Sequence, residues 1–181
     1  FEEDVNVPFL IRGPGIEPNM IVNKLAGNVD IAPTFADMAG VVPPDFVDGR
    51  SLLPLFTPSA SQPWREAYLL ERGGDEAETF YWDTTVSRNL DPGLLEPFDV
   101  ASKPNYTWPF ASPYVGLRTE EHCYIEFEIG DIELYNMVND PHQLENLAWT
   151  ADPATLEIFS QWVERLKTCA GESCWAAEGK P

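Results

Sequence analysis

One stretch decides the fold of this chain: Glu133-Leu-Tyr-Asn-Met-Val-Asn-Asp-Pro-His-Gln-Leu-Glu-Asn-Leu-Ala148. Its first residues are largely apolar and β-prone, which predicts a short strand. Asn139-Asp140-Pro141 then ends the run with turn-forming residues. Asp140 before Pro141 predicts a helix cap followed by proline at the first helical position. Asn146 marks the end of that turn, so the stretch predicts a strand that runs directly into a capped turn.

The same segment resembles the signature ELYDLxxDPxExxNLA, which lies near the C terminus of formylglycine-dependent sulfatases. Three further segments resemble that family: FEEDVNVPFLIRGPGI at residues 1–16, NVDIAPT at 28–34 and DGRSLLPL at 48–55. The first departs from the family's usual YEEDIRVPLIVRGPGI at Asn6, where a basic residue is customary. The tail at 166–174 resembles the LxxCxGxxC of N-acetylglucosamine-6-sulfatase-like members. The resemblance covers essentially the whole chain, but only the C-terminal part of a typical sulfatase.

This resemblance implies an alkaline-phosphatase-like α/β fold, of which the chain forms the C-terminal portion. Residues 1–56 correspond to the end of the large α/β domain. The apolar run at 5–11, ended by Gly and Pro, predicts a buried strand of a larger sheet. A helix is predicted over 30–40 with Asp30 as its N-cap. Its buried face is predicted to carry the apolar stripe Ile31, Phe35, Met38 and Ala39.

Residues 57–65 are rich in Pro and Ser and predict a linker into a second unit, an α+β subdomain over 66–181. This subdomain is predicted to contain a small antiparallel sheet, a C-terminal helix capped by Asp152 and a long irregular loop over 75–113. The predicted strands are 67–72, 114–119, 123–128 and 132–137. The helix carries an apolar stripe that would cover one face of the sheet, formed by Leu156, Phe159, Trp162, Val163 and Leu166.

The charge balance limits the partners of this chain. Its net charge is −19, from 30 acidic and 11 basic side chains. Such acidity argues against binding nucleic acid or an anionic membrane surface, both of which need basic patches. No apolar run is long enough to cross a bilayer. The net negative charge would repel a sulfated substrate at long range. Salt screens this repulsion, so binding is still feasible if the pocket itself is positive.

The three cysteines predict two different roles. Cys169 and Cys174 lie close together near the C terminus, where a disulfide, two free thiols and a metal site are all open readings, with the disulfide favoured. Cys123, inside an apolar strand, is predicted to be a buried free thiol. Asn105 begins the sequon Asn-Tyr-Thr and is a candidate glycosylation site. Together these features favour an exported protein, either secreted or lysosomal.

The catalytic chemistry that the resemblance implies is missing from the chain. In the family, formylglycine is made from Cys or Ser within C/S-x-P-x-R, and no cysteine or serine here has that context. The Asp and Asn ligands for Ca²⁺ are also absent, and a catalytic Lys normally lies just before the position of Phe1. The four aspartates Asp30, Asp37, Asp45 and Asp48 lack calcium-loop spacing, so structural roles are predicted for them. We therefore expect neither catalytic nor metal-binding residues in this chain, and no activity from it alone.

Substrate binding is the contribution that the chain could make. Glu71 and Arg72 are followed by Gly73-Gly74, where a predicted strand ends and backbone can approach a ligand closely. A guanidinium there suits a bidentate contact to a carboxylate or sulfate group. The alternative is that Arg72 forms a structural ion pair. Arg118, in the middle of a predicted strand, is a second candidate.

These observations predict the C-terminal part of a sulfatase that acts on sulfated sugars or glycosaminoglycans. The implied partners are the catalytic N-terminal domain and a sulfated carbohydrate or aryl sulfate. The rival interpretation is a non-catalytic carbohydrate-binding or interaction module derived from the same subdomain. Residues 5–11 argue against the rival, since a strand standing alone would expose apolar surface and an unpaired edge.

Overall fold

The computed structural model describes residues 2–56, 63–73 and 113–181. Its centre is a four-stranded antiparallel sheet in the order β1-β2-β3-β4. The strands are β1 Ala67–Arg72, β2 Tyr114–Thr119, β3 His122–Phe127 and β4 Ile132–Asn136. All four predicted strands of the C-terminal subdomain are thus confirmed. Residues 57–62 of the predicted linker, residues 75–112 of the predicted loop and Asn105 lie outside the described residues, and the domain boundaries stay a prediction.

One face of the sheet packs against a long helix, α3, which spans Pro153–Thr168. The predicted cap is confirmed, because the Asp152 side chain accepts a hydrogen bond from the Ala154 amide at 3.1 Å. Sheet and helix share a core of buried residues: Ala67, Leu117, Tyr124, Leu134, Phe159, Trp162, Val163 and Leu166. Burying each of the larger side chains stabilises the fold by about 1.5–3 kcal/mol. The opposite face has a smaller core of Cys123, Ile125, Tyr135 and Met137.

The segment after β4 confirms the predicted turn but not the predicted helix. Asp140 caps no helix; its carboxylate accepts hydrogen bonds from the amides of Leu144 and Glu145 at 3.0 and 2.9 Å. Asn146 fastens this turn to the sheet, since its side chain accepts from the Leu134 amide and donates to the Ile132 carbonyl. The turn is therefore held by side-chain amides and carboxylates, and a helix is not needed to satisfy the backbone.

The predicted strand over 5–11 is wrong in this structure. A short helix, α1, spans Glu2–Val5, and residues 6–13 have no regular secondary structure. Leu10 is 89% exposed. A strand is stabilised by hydrogen bonds to neighbouring strands, and none of the described residues pairs with this run. The run keeps the composition of a buried strand without the neighbours that would bury it.

The predicted helix is confirmed as α2, Ile31–Met38, preceded by a 3-10 turn at Asn28–Asp30. Its predicted buried face is wrong, because Phe35 is 62% exposed and Met38 also faces outward. The inward side is polar instead: Thr34 donates to the Asp30 carbonyl at 2.6 Å and accepts from the Leu52 amide at 2.9 Å. Asp30 makes no side-chain cap hydrogen bond to α2, because it is used elsewhere.

The C-terminal segment forms a last short helix, α4, over Glu172–Ala177. A disulfide joins Cys169 at the end of α3 to Cys174 within α4, which selects the first of the three open readings. Cys123 is a buried free thiol, as predicted. Within the described ranges, no helix is both long and apolar enough to span a membrane.

Candidate functional site

Glu71 and Arg72, the predicted substrate-binding pair, are the last two residues of β1 and are both exposed. Successive side chains of a strand point to opposite faces, so the pair does not face one pocket. Glu71 lies on the α3 face with Leu69, and its charge reaches Lys167 on that helix. Arg72 lies on the opposite face with Tyr68 and makes no ion pair with any residue the structure describes.

The face that carries Arg72 forms the floor of a cleft of about 740 Å³. Residues 2–56, which we call the front region, cover it from the other side. Apolar side chains supply much of the wall, and asparagines and charged residues lie among them (Val5, Val7, Phe9, Val22, Ile31, Leu70, Asn6, Asn23 and Asn28). Arg72 is outside the cleft, two residues along β1 from Leu70, which corresponds to roughly 7 Å of strand.

Each cation lining the cleft already has a carboxylate partner. Arg118 donates to Glu2 through two nitrogens at 2.9 and 3.1 Å, and this contact is the main reason that the pKa of Glu2 is lowered. Lys24 pairs with Glu120 at 2.9 Å. A guanidinium in a bidentate pair has little capacity left for sulfate. The second predicted candidate, Arg118, therefore has a structural partner, and the cleft wall is amphipathic and locally neutral.

A buried charged cluster lies beneath the cleft. Arg65 donates to both oxygens of Asp30 at 2.6 Å, and both side chains are 0% exposed. Glu178 adds a second carboxylate at 3.0 Å from the Arg65 Nε and also pairs with Arg50. The Arg65 guanidinium lies 5.2 Å from the centre of the Tyr68 ring, which lines the cleft. Burial is the main cause of the raised pKa of Tyr68.

Gly49 explains how the DGRS segment joins this cluster. A Cβ at position 49 would lie 2.0 Å from the Val29 carbonyl oxygen, so only glycine permits the approach. The next residue, Arg50, donates its amide to Asp30 at 3.0 Å. Sequence reasoning missed this cluster, because Asp30 and Arg65 are far apart in the chain. The Gly49-Arg50 pair within the DGRS segment was the only local signal.

Neither a metal-ligand cluster nor a reactive cysteine is found among the described residues. They contain no group of three or more His, Cys, Asp or Glu side chains that could hold a metal ion. Cys169 and Cys174 are bonded to each other. Burial raises the pKa of Cys123 to about 11, which keeps its thiol protonated near neutral pH.

Comparison with known proteins gives consistent similarities along the chain. Residues 1–72 match the family model of N-sulphoglucosamine sulphohydrolase, C-terminal. The chain is 34% identical over 182 aligned residues to N-acetylglucosamine-6-sulfatase of Capra hircus, and this match covers 96% of the chain and 31% of the relative. The human protein of the same name is 33% identical over 178 residues, and this match covers 96% of the chain and 32% of the relative. The chain thus spans about a third of the length of these relatives.

A shorter and closer match is to the Extracellular sulfatase SULF-1 homolog of Drosophila melanogaster, 51% identical over 77 residues, which covers 41% of this chain and 7% of that one. Among solved structures, a protein in complex with its substrate D-glucosamine-2-N,6-O-disulfate has a TM-score of 0.54 and 26% identity, with 77% of this chain and 23% of that chain covered. A 2-O GAG sulfatase has a TM-score of 0.55 at 22% identity, with 86% of this chain and 27% of that chain covered. This similarity bears on the fold alone.

Proposed function

This chain is homologous along its length to the C-terminal part of sulfatases, and we propose that it forms part of an enzyme that hydrolyses sulfate esters of amino sugars. The similarity to N-acetylglucosamine-6-sulfatase over 96% of the chain carries this proposal. The solved relative that binds a glucosamine disulfate supports the same substrate class. Sulfated glucosamine, free or within a glycosaminoglycan, is the proposed substrate.

The chain alone is inactive in this proposal. Sulfate-ester hydrolysis needs an activated nucleophile and positive charge at the sulfate oxygens. None of Cys123, Cys169 and Cys174 stands in a C-x-P-x-R context. The described residues offer no metal-ligand group. Formylglycine and Ca²⁺ would be held by a catalytic region outside the 181 residues.

The exposed apolar surface of the front region supports a catalytic partner. Leu10 is 89% exposed, and Phe35 on α2 is 62% exposed. Exposed apolar surface of this kind marks regions that another part of a protein covers. The same observation counts against an independent binding module, which would have to leave this surface in water.

We propose substrate contact for Arg72 in particular. Its guanidinium is exposed, lies on the cleft-bearing face of the sheet and has no ion-pair partner among the described residues. A planar guanidinium matches the oxygens of a sulfate or carboxylate. For Glu71, which lies on the α3 face, the alternation of the strand gives no such support.

We propose an exported location, either secreted or lysosomal. One relative is named as an extracellular sulfatase. The disulfide of the C-terminal segment agrees with an oxidising compartment.

Release of inorganic sulfate from glucosamine 6-sulfate tests the activity. The assay compares the 181-residue chain with a longer protein that includes the upstream catalytic region. We expect turnover only from the longer protein. Turnover by the 181-residue chain would contradict its proposed inactivity. A longer protein that binds sulfated glucosamine without ever releasing sulfate would instead support the binding module.

Arg72→Ala in the longer protein tests the substrate contact. Loss of a hydrogen bond to a charged group costs about 1.5–3 kcal/mol, so we expect KM to rise roughly 10- to 100-fold. Arg12→Ala is the matched control, since Arg12 is also an exposed arginine but lies in the front region. Equal KM values for the wild type and Arg72→Ala would mean that Arg72 is a surface residue without substrate contact.

A further inference from the structure

The last residues of the chain touch both halves of the molecule. We define the C-terminal clasp as residues 169–180, which contain the disulfide and α4. We propose that the Cys169–Cys174 disulfide locks this clasp onto residues 45–50, and that its reduction by a dithiol releases those residues while the sheet stays folded. The redox state of this disulfide then controls whether the front region stays bound to the C-terminal subdomain.

The loop closed by the disulfide contacts the front region directly. The Gly171 amide donates to the Asp48 carboxylate at 2.6 Å. A Cβ at position 171 would lie 2.2 Å from the Asp45 carbonyl oxygen, so the two backbones are in contact. Gly171 also has a φ of +57°, which an L side chain rarely adopts. Both the conformation and the contact thus require glycine at position 171, within the loop that the disulfide closes.

Helix α4 adds a second set of contacts with the front region. The guanidinium of Arg50 lies 5.1 Å from the ring centre of Trp175. The same arginine pairs with Glu178. Trp175 directly follows Cys174 and Glu178 is the C-cap residue of α4, so the position of α4 decides whether Arg50 has a carboxylate and an aromatic partner.

The other side of the clasp is tied to the sheet and to α3. The Glu178 carbonyl accepts from the Ala67 amide at 3.1 Å, at the start of β1. The Trp162 indole donates to the Ala177 carbonyl at 2.9 Å. Arg165 donates to the Gly179 carbonyl at 2.6 Å. The clasp therefore bridges residues 45–50 and the core of the C-terminal subdomain.

The disulfide is needed because the clasp has little stability of its own. α4 has six residues, and a helix so short is unstable in water without external constraints. Its Gly171 N-terminus has no side-chain cap. The cross-link restricts the released chain and so favours the docked state. Without it, ordering the loop and α4 would have to be driven by the contacts alone.

The reduction is a thiol–disulfide exchange. A thiolate of the dithiol attacks Sγ of Cys169, which is half-buried, whereas Cys174 is buried. The S–S bond breaks, Cys174 leaves as a thiolate and takes a proton, and a mixed disulfide forms at Cys169. The second thiol of the reagent then displaces Cys169, so both cysteines end as thiols and the dithiol is oxidised to a disulfide.

Hydrogen exchange of the 181-residue chain with and without dithiothreitol tests the proposal. We expect exchange to accelerate at least roughly tenfold in residues 45–50 and 171–178. Residues 26–34 keep the Asp30–Arg65 pair, and strands β2–β4 keep their core, so both should change little. Unchanged exchange in residues 45–50 after complete reduction, or simultaneous loss of all protection, would overturn the proposal.

Two variants keep the result attributable to this disulfide. Cys169→Ser/Cys174→Ser should show the accelerated exchange without reductant and no further response to it. Cys123→Ala retains the disulfide and should respond to dithiothreitol as the wild type does. If the double variant does not fold, reduction of the folded Cys123→Ala protein alone decides the question. A double variant protected like the oxidised wild type in residues 45–50 would contradict the proposal.

Discussion

Arg65 binds Asp30 through two parallel hydrogen bonds of 2.6 Å, and neither side chain is exposed to solvent. The two residues come from different parts of the chain, one before α2 and one before β1. The Asp30 carboxylate also accepts hydrogen bonds from the backbone amides of Gly27 and Arg50. One buried carboxylate therefore organises the front region and connects it to the sheet.

Asp30→Asn is expected to lower the free energy of unfolding by about 3–5 kcal/mol, because it leaves the buried Arg65 without its principal counter-charge. Urea denaturation followed by far-UV circular dichroism measures the change. Asp37→Asn is the matched control, since Asp37 is an exposed aspartate of α2, and it should change stability by less than about 0.5 kcal/mol.

A double variant distinguishes the stabilisation by the Asp30–Arg65 ion pair from the cost of burying its two charges. Asp30→Leu/Arg65→Met removes both charges, and such double replacements are often near neutral. We expect the double variant to be more stable than Asp30→Asn. Equal losses for the two variants would mean that the hydrogen bonds from Gly27 and Arg50 to Asp30, and not the ion pair, dominate.

Gly171→Ala is expected to destabilise the chain by more than Gly40→Ala. Both glycines have positive φ, +57° and +68°, so each substitution incurs the left-handed penalty of roughly 1–2 kcal/mol. Only the Cβ at position 171 collides with backbone, whereas nothing lies within 4 Å of the one at position 40. Thermal unfolding of the two variants compares them. A larger loss for Gly40→Ala would argue against the close contact with Asp45.

Leu166→Ala is expected to lower the free energy of unfolding by about 2–5 kcal/mol, because Leu166 is 4% exposed in the core between α3 and the sheet. Ile158→Ala on the same helix is the control, because Ile158 is 42% exposed and its truncation leaves a smaller cavity. Similar losses in urea titrations of both variants would contradict the assigned orientation of α3.

Local patterns predicted the four-stranded sheet and its covering helix well. Asp152-Pro153 begins α3, and the apolar spacing from Phe159 to Leu166 identifies its buried face. Both signals are complete within a few residues, so no distant contact is needed to read them. The same holds for β2 and β3, which were predicted as a hairpin across Glu120-Glu121-His122.

The front region could not be predicted in the same way, because its state depends on distant residues. The apolar spacing of α2 indicated that Phe35 and Met38 face inward, but the buried Asp30 orients the polar side of the helix toward the interior. The run at 5–11 has the composition of a strand and lacks strands to pair with among the described residues.

The candidate site contains one feature that local sequence predicts and one that depends on distant residues. Arg72 at the end of a strand was predictable, and the strand period alone already separates it from Glu71. The cleft was not predictable, since it arises where the front region lies on the sheet, through pairs such as Arg118 with Glu2 that are distant in sequence. Charge patterns cannot tell which of many acidic residues becomes the partner of a given arginine.

Stability should fall as the pH rises from about 9 to 11, and Cys123 should account for part of the fall. Burial raises its pKa from the ordinary 9.0 to about 11, so between these values the unfolded chain loses a proton that the folded chain retains. The unfolded state is then favoured by up to roughly 1.4 kcal/mol per pH unit. Urea midpoints at pH 8, 9 and 10 for the wild type and for Cys123→Ala measure the effect, and the variant should lose less stability across this range. Tyr135, whose pKa burial raises to about 12, adds a similar decrease above pH 10 that persists in the variant. Parallel pH profiles for the two proteins below pH 10 would show that Cys123 ionises as readily in the folded chain as in the unfolded one.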